Sequence, residues 1–549
     1  MIYPSPLPDV EISDLPLTGY VLAGASGRAD KPALIDGASG RTLTYAELDR
    51  AVRSLAGGLA ASGFAKSDVL ALMAPNMPEY AVVFHAVPVA GGIVTTINPA
   101  FTEAEAHRQL RDSGARLLVT IPPLVAAASR AAAGTQVQDV YVLGEAPGAR
   151  PLAGLFAAPL VGQVPVGPGD VAALPYSSGT TGLCKGVMLT HRNLVANIAQ
   201  TLAALQLRAE DSLVAVMPFF HIYGMQVLMN CGLRAGATIV TLPRFDLEQF
   251  LRVHQEYRIT RSFVAPPIVV ALAKHPLVDN FDLSALRWML SGAAPLKADL
   301  AAACGRRLGC EVVQGFGMTE ASPVTHLTPP GGFKPGSIGV TVPNTATRIV
   351  DPVRGTDLGA GEDGEIWVRG PQVMKGYLNN PQATAATIDP GGWLHTGDLG
   401  HIDADGHVYV TDRLKELIKY KGFQVPPAEL EAVLLAHPDV TEAAVVGLPD
   451  EEAGEIPAGY VTLRPGAPAT SEEIRRFVAS QVAGYKQIRR LEVIEAIPKS
   501  PSGKILRRVL RDAAAAKADP PTADPERGAG FRGGGGPGDL AAVHLDPDQ

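Results

Sequence analysis

Residues 176–190 read YSSGTTGLCKGVMLT. Spaced glycines, serine and threonine hydroxyls and one lysine are the ingredients of a loop that cradles phosphate, yet the order fails the P-loop pattern G-x-x-x-x-G-K-[ST]. In that pattern the lysine opens a helix and the next hydroxyl binds a metal ion. Here Lys185 is followed by Gly186 and the β-branched, apolar run 187–190, which predicts a strand. The stretch therefore reads as a loop between two strands, with glycines that let the backbone come close to a ligand and hydroxyls that can bond phosphate oxygens. Alone, such a cluster is also what an ordinary surface turn looks like.

Working outward, the first half of the chain alternates strand and helix patterns. TYAELDRAVRSLAGGLAASG, from Thr44, opens with a capping box, Thr44 to Glu47, and puts Leu48, Val52, Leu55 and Leu59 on one helical face. Short apolar runs at 69–76, 116–120, 140–144 and 237–242 predict buried strands. Strands alternating with helices imply an α/β architecture with mostly parallel sheets. The apolar stretch 213–233 contains Pro218, His221, Gln226 and Asn230, so it predicts core and not a membrane span.

At 549 residues the chain is too long for one ordinary core, and 46% hydrophobic with 19% charged residues is a globular balance. A net charge of -8 gives no electrostatic case for a nucleic-acid partner. Four scattered cysteines without a C-x-x-C pair suggest neither a zinc site nor a disulfide framework, and fit a reducing cytoplasm. The N-terminus predicts no secretory leader and the C-terminus no lipid anchor or peroxisomal signal. The sequence specifies no oligomeric state.

Residues 404–422, ADGHVYVTDRLKELIKYKG, break the βα rhythm and predict a hairpin and a charged turn. Beyond them lies a compact α+β set: helix PAELEAVLLAH, strands TEAAVVGL and AGYVTL, helix SEEIRRFVASQV with a capping box Thr470 to Glu473, strand LEVIEAI and helix ILRRVLRDAA. The expected organisation is a large domain over 1–412, a hinge at 413–415, a small mobile domain over 416–512, and a disordered Ala/Gly/Pro-rich tail over 513–549.

Six stretches, in order, carry a resemblance: YSSGTTGLCKGV (176–187), MPFFHIYG (217–224), QGFGMTEASP (314–323), GWLHTGDLG (392–400), DRLKELIKYKGFQVPPAELE (412–431) and PKSPSGKILRR (498–508). Over roughly residues 20–512 the sequence resembles the AMP-forming acyl-CoA synthetases of the adenylate-forming superfamily, most closely the 4-coumarate:CoA ligase branch. The resemblance implies a large α/β domain that includes a β-barrel-like part and a small domain that swings about Lys415. It also implies two half-reactions: a carboxylic acid and Mg-ATP give acyl-AMP and pyrophosphate, then coenzyme A displaces AMP. The co-substrates and metal would be ATP, coenzyme A and Mg²⁺.

The same resemblance assigns residues. Lys504 matches the catalytic lysine that bridges carboxylate and α-phosphate, and His221 the histidine beside the acyl carboxylate. Ser177, Ser178, Gly179, Thr180, Thr181, Gly182 and Lys185 would grip the phosphates, so the opening loop serves pyrophosphate departure. Gln314, Gly315, Phe316 and Thr319 would hold adenine and α-phosphate, Asp398 and Arg413 the ribose, and Glu320 the metal. Lys421, Gly422 and Gln424 would face the adenylate and the pantetheine tunnel in the second step. The acid pocket would be walled by Tyr223, Leu290, Ala293, Ala294, Phe316, Gly317, Pro323 and Val324, which suits a flat aryl-propenoate such as cinnamate or 4-coumarate. A medium-chain fatty acid could fill the same space by the same mechanism. Cys184 departs from the proline common before that lysine, which would loosen the loop. Ser322 and Pro426 depart from the plant pattern. A P-loop phosphotransferase is the competing class, and it would yield ADP instead of AMP.

Overall fold

The computed structural model describes residues 1–177, 184–421, 423–450, 452–500 and 503–518, with the backbone alone for Gln424, Ala516 and Ala518. Among the described residues the strands form three sheets. The 14-stranded sheet has a parallel half, in the order Pro32–Asp36, Thr238–Thr241, Ser212–Ala215, Arg261–Val264, Trp288–Ser291 and Glu311–Gly317. At Glu311–Gly317 it changes character: Val324–Leu327 pairs antiparallel, and Gly339–Thr341, His407–Arg413, Leu394–Ile402, Gly364–Arg369 and Ala346–Val350 continue so. This antiparallel run is the part expected to be barrel-like. The nine-stranded sheet centres on Ile93–Thr96, Val69–Met73, Leu117–Thr120 and Asp139–Val142, all parallel.

Period-two alternation explains the continuous apolar runs. In Ser212–Ala215, Leu213 and Ala215 face the central core while Val214 faces the core under helices Leu247–Glu256 and Pro266–Lys274. In Val69–Met73, Leu70 and Leu72 face the same central core, and Val69, Ala71 and Met73 face helices Glu103–Ser113 and Val125–Ala132. The two large sheets thus share a filling of helices, including Tyr45–Ala61, Pro78–Val89 and His191–Leu205. The capping box at Thr44 forms with both of its bonds, and Leu48, Val52, Leu55 and Leu59 are at most 1% exposed. Residues 213–233 are core, running from a strand into the π-helix Tyr223–Asn230 and the helix Cys231–Ala235. Among the described residues no helix is long and apolar enough to cross a membrane.

The chain leaves the large sheet at Arg413 and enters the five-stranded sheet at Ile418. The stretch expected to be one hairpin and a turn is therefore shared between sheets: His407–Arg413 pairs back on Leu394–Ile402, and Ile418–Tyr420 starts a second hairpin with Phe423–Val425. The small sheet has its own two cores, with Val445 and Val461 on one face and Ala444, Val446 and Tyr460 on the other. The capping box at Thr470 forms as expected.

One boundary needs correction. Residues 513–518, expected to open the tail, continue helix Arg507–Ala518, and Ala514 is buried one turn after Leu510 on the same face. An alanine run has the highest intrinsic helix propensity, and here it also has a core to pack on. Residues 519–549 lie outside the described residues.

Candidate active site

The parallel half of the sheet ends at Glu311–Gly317, where pairing becomes antiparallel. Gly317 pairs with Val324 there, and a Cβ on Gly317 would lie 2.2 Å from the Pro323 carbonyl oxygen, so only glycine permits the approach. Phe316 is half-buried, packed against the core of the antiparallel run and tilted against His326 at 5.9 Å. Gln314 is buried; its Oε1 accepts from the Leu296 N–H (2.8 Å) and its carbonyl from the Thr328 hydroxyl (3.0 Å). Its side chain thus secures the loop after Trp288–Ser291. Gly315 is equally tight, with Leu327 Cδ2 at 2.7 Å from a built Cβ.

His221 lies just before the π-helix, a wide-turn element often found at functional sites. Its Nδ1 accepts from the Tyr223 N–H at 3.3 Å, so the neutral ring carries its proton on Nε2. Burial first, and then the nearby Lys504 charge, push its pKa down to about 4, so at neutral pH it can donate a hydrogen bond but brings no charge. Tyr223 is buried, with its hydroxyl donating to the Leu290 carbonyl (3.2 Å), and a Cβ on Gly292 would lie 3.3 Å from its ring. Pro323 and Val324 are buried, Ala294 is half-buried and Ala293 is exposed. One clamp on this segment was not anticipated. Asn197, fully buried on helix His191–Leu205, donates to the Val324 carbonyl (2.8 Å) and accepts from its N–H (3.1 Å). The available signal was amides at 193, 197 and 200 on one face of a largely apolar helix.

Asp398 and Arg413 are cross-strand partners on Leu394–Ile402 and His407–Arg413, and Arg413 Nε meets Asp398 Oδ1 at 2.8 Å. Burial raises the Asp398 pKa, while Arg413 and then Lys504 pull it back. Lys504 comes from the far end of the chain, on a loop closed by Ser500 N–H to Lys504 O (2.8 Å) and Lys504 N–H to Ser500 Oγ (3.1 Å). Burial pushes its ammonium below the usual lysine range; Arg413 adds to that, and Glu416 and Asp398 oppose it. Its neighbour Gly503 has φ +83°, and a Cβ there would meet Pro267 Cδ at 3.2 Å and Ala265 Cβ at 3.3 Å. The small domain's loop is thus seated on the large domain by a residue that has no side chain. Gly503→Ala strains this left-handed backbone, so acid-dependent ATP–pyrophosphate exchange is expected to fall about tenfold, with thiolysis of supplied acyl-AMP unchanged.

On the phosphate side, Ser177 Oγ is buried with no hydrogen-bond partner among the described residues. Such an orphan hydroxyl fits a phosphate oxygen. Ser178, Gly179, Thr180, Thr181 and Gly182 lie outside the described residues; Cys184 is exposed. Lys185 opens the strand Lys185–Thr190, as the sequence predicts. Its Nζ stands 4.1 Å above the Tyr377 ring, and the Tyr377 hydroxyl donates to Glu320 Oε1 (2.8 Å). Tyr377 was not anticipated. Thr319 begins the short turn that carries Glu320. A carboxylate offers about four lone-pair sites, and Mg²⁺ is habitually held by one or two carboxylates plus substrate phosphates. Glu320 fits that habit. No cluster of three or more candidate metal ligands occurs among the described residues.

The remaining assignments are not gathered at this place. Lys421 sits in the turn after Ile418–Tyr420, exposed and paired with Glu452 at 2.5 Å. Gly422 and the Gln424 side chain lie outside the described residues. Lys415 lines a cavity of about 460 Å³ between the Pro352–Val353 turn and the small domain's Leu417, Lys419 and Glu455. Four segments thus bring together His221, Asp398, Arg413 and Lys504, with Lys185, Tyr377 and Glu320 forming a second group.

Comparison with known proteins accords with this geometry. Residues 23–378 match the AMP-binding enzyme family model, and residues 429–504 match the model for the AMP-binding enzyme C-terminal domain. The chain is 45% identical over 524 residues to 4-coumarate–CoA ligase 1 of Petroselinum crispum, covering 93% of this chain and 96% of that one. Among solved structures it is similar to ATP-bound MatB from Rhodopseudomonas palustris, with TM-score 0.85, 30% identity, and 91% and 99% of the two chains covered. It is also similar to the anthranilate CoA ligase AuaEII in complex with anthranoyl-AMP, with TM-score 0.85, 26% identity, and coverage of 93% and 99%.

Proposed function

The chain belongs to the AMP-binding enzyme family, and from that premise we propose that this AMP-forming acid:CoA ligase activates an aryl-propenoic acid of the cinnamate or 4-coumarate type. What supports the reading most is the convergence of a buried acid–arginine pair, a neutral histidine and a lysine from the small domain at one crevice.

The first half-reaction must bring a carboxylate against a phosphate oxygen. At about 4 Å and an effective dielectric near 20 two such charges repel by roughly 4 kcal/mol, or about a thousandfold in rate. Lys504 offsets that repulsion by standing between the anions as charge moves from the attacking oxygen to the departing pyrophosphate. His221 donates from Nε2 to the acid's other oxygen without adding charge. Asp398, whose charged form Arg413 favours against the effect of burial, accepts from the ribose hydroxyls. Lys185 and the Ser177 hydroxyl hold the leaving phosphates, and Mg²⁺, held by Glu320, would supply neutralisation of the triphosphate. For the second half-reaction the small domain swings about Lys415, withdrawing Lys504 and bringing the Lys421–Gln424 turn to the adenylate, where coenzyme A displaces AMP.

The acid is argued from the wall. The Tyr223 ring comes close to Gly292, which has no side chain, and the next two residues, Ala293 and Ala294, are small, a composition that suits a planar ring and its conjugated side chain. A panel of cinnamates and medium-chain fatty acids, assayed by pyrophosphate release with coenzyme A present, tests this. The expected order places 4-coumarate or cinnamate at least about tenfold above the fatty acids in kcat/KM, a difference of about 1.4 kcal/mol in transition-state binding. The reverse order would replace the aryl acid by a fatty acid within the same mechanism.

A further inference from the structure

The phosphate-side group contains an oddity. Lys185 and Glu320 carry opposite charges at one site, each within electrostatic reach of the other, yet they form no ion pair within 4.0 Å among the described residues. A direct pair would leave each with its charge spent on the other. Tyr377 stands between them: its ring face takes the ammonium at 4.1 Å and its hydroxyl takes the carboxylate at 2.8 Å.

The side chain is held there by its backbone. Gly376–Tyr377 pairs antiparallel with Lys185–Thr190, placing Tyr377 opposite Val187, and Lys375 N–H to Met188 O (3.0 Å) and Leu378 N–H to Gly186 O (2.8 Å) fix both flanks. The Tyr377 N–H donates to Thr384 Oγ1 (2.9 Å). The same segment holds the other partner, since the Met374 N–H donates to the Glu320 carbonyl (2.8 Å). Tyr377 is only 5% exposed, so water does not compete for its ring. Tyrosine suits this position because its ring face attracts a cation by its quadrupole without neutralising it, and its hydroxyl donates to a carboxylate without adding charge.

We propose that Tyr377 is a positioning residue, a neutral spacer that keeps Lys185 and Glu320 from pairing and so presents an intact cation and an intact anion to the triphosphate and its metal. The proposal rests on the assignment of Lys185 to phosphate and Glu320 to metal given above. It makes the two halves of the tyrosine separable. The ring governs how Lys185 meets phosphate; the hydroxyl governs how Glu320 meets metal.

Binding of metal-free inorganic pyrophosphate, followed calorimetrically, reads the first half without any turnover. Tyr377→Leu is expected to bind it about tenfold more weakly than the wild type, because Lys185 collapses onto Glu320. Adding Glu320→Gln to Tyr377→Leu removes the competing carboxylate and is expected to restore affinity to within about threefold of wild type. Tyr377→Phe keeps the ring and should bind pyrophosphate within about twofold of wild type, while needing several-fold more Mg²⁺ for half-maximal pyrophosphate release in the ligase assay. Wild-type affinity in Tyr377→Leu, or no recovery in the double variant, would overturn the proposal. If Tyr377→Leu does not fold, an unchanged Mg²⁺ requirement in Tyr377→Phe overturns it instead. A wild type that binds pyrophosphate but turns over no acid would count against the ligase reading, and this binding comparison would still be decisive.

Discussion

Lys504→Ala is expected to lower acid-dependent ATP–pyrophosphate exchange by about a thousandfold, the rate equivalent of the anion repulsion it offsets, while thiolysis of supplied acyl-AMP stays within a few-fold of wild type. Lys421→Ala should show the opposite bias. The asymmetry follows from where the two lysines stand. Lys504 is half-buried beside His221, Asp398 and Arg413, whereas Lys421 is exposed and paired with Glu452. On the proposed swing of the small domain, each lysine serves one orientation. Single-step assays of exchange and of thiolysis on both variants check the division. Equal loss of both steps in both variants would mean that the lysines act together and that no swing separates the half-reactions.

The second large effect concerns Arg413. Removing one partner of a buried ion pair costs about 3–5 kcal/mol if the other stays charged; Arg413 is a third exposed, which places the cost at the lower end. Asp398 in Arg413→Ala is expected to respond by taking up a proton, since burial already raises its pKa and its largest opposing influence is gone. A protonated carboxyl is a poorer acceptor for ribose hydroxyls, so AMP affinity should fall at least about tenfold at neutral pH. It should recover as pH rises through the raised folded pKa and the carboxylate reforms. Stability should move the other way. A carboxyl whose folded pKa lies above its unfolded value binds more protons when folded, so stability is fully present below the unfolded pKa and is lost as pH climbs through the folded one. Calorimetric AMP titration and thermal unfolding from mildly acidic to mildly alkaline pH would show the opposed trends; parallel trends would mean that Asp398 does not titrate in the variant.

What could be read from the sequence was whatever depends on near neighbours. The capping boxes at Thr44 and Thr470 are three-residue patterns, and both form. The strand after Lys185 was legible because β-branched residues in an apolar run disfavour a helix. The face Leu48, Val52, Leu55 and Leu59 follows from helical period alone and is buried as expected. The pairs that shape the site are of a different kind. Tyr377 meets Lys185 across a two-residue strand, and Asn197 grips Val324 through backbone bonds that leave no trace in the identity of Val324. Such contacts depend on which strands become neighbours, and that is decided by packing of whole layers. Gln314 is of the same kind: expected among the nucleotide contacts, its side-chain oxygen also accepts from the Leu296 N–H, a contact its place in the motif did not announce. The tail boundary slipped because alanine is as much at home in a helix as in a low-complexity segment, and the choice falls to the core that Ala514 finds.

On the proposed mechanism, a carboxylic acid is joined to the α-phosphate of ATP with a cation from the small domain standing between them. Chromatography of the nucleotides formed from ATP, Mg²⁺, 4-coumarate and coenzyme A tests it most directly. The expected products are AMP, pyrophosphate and thioester in one-to-one yield, all three lost together in Lys504→Ala. ADP with inorganic phosphate, or AMP formed at the same rate without the lysine, would contradict it.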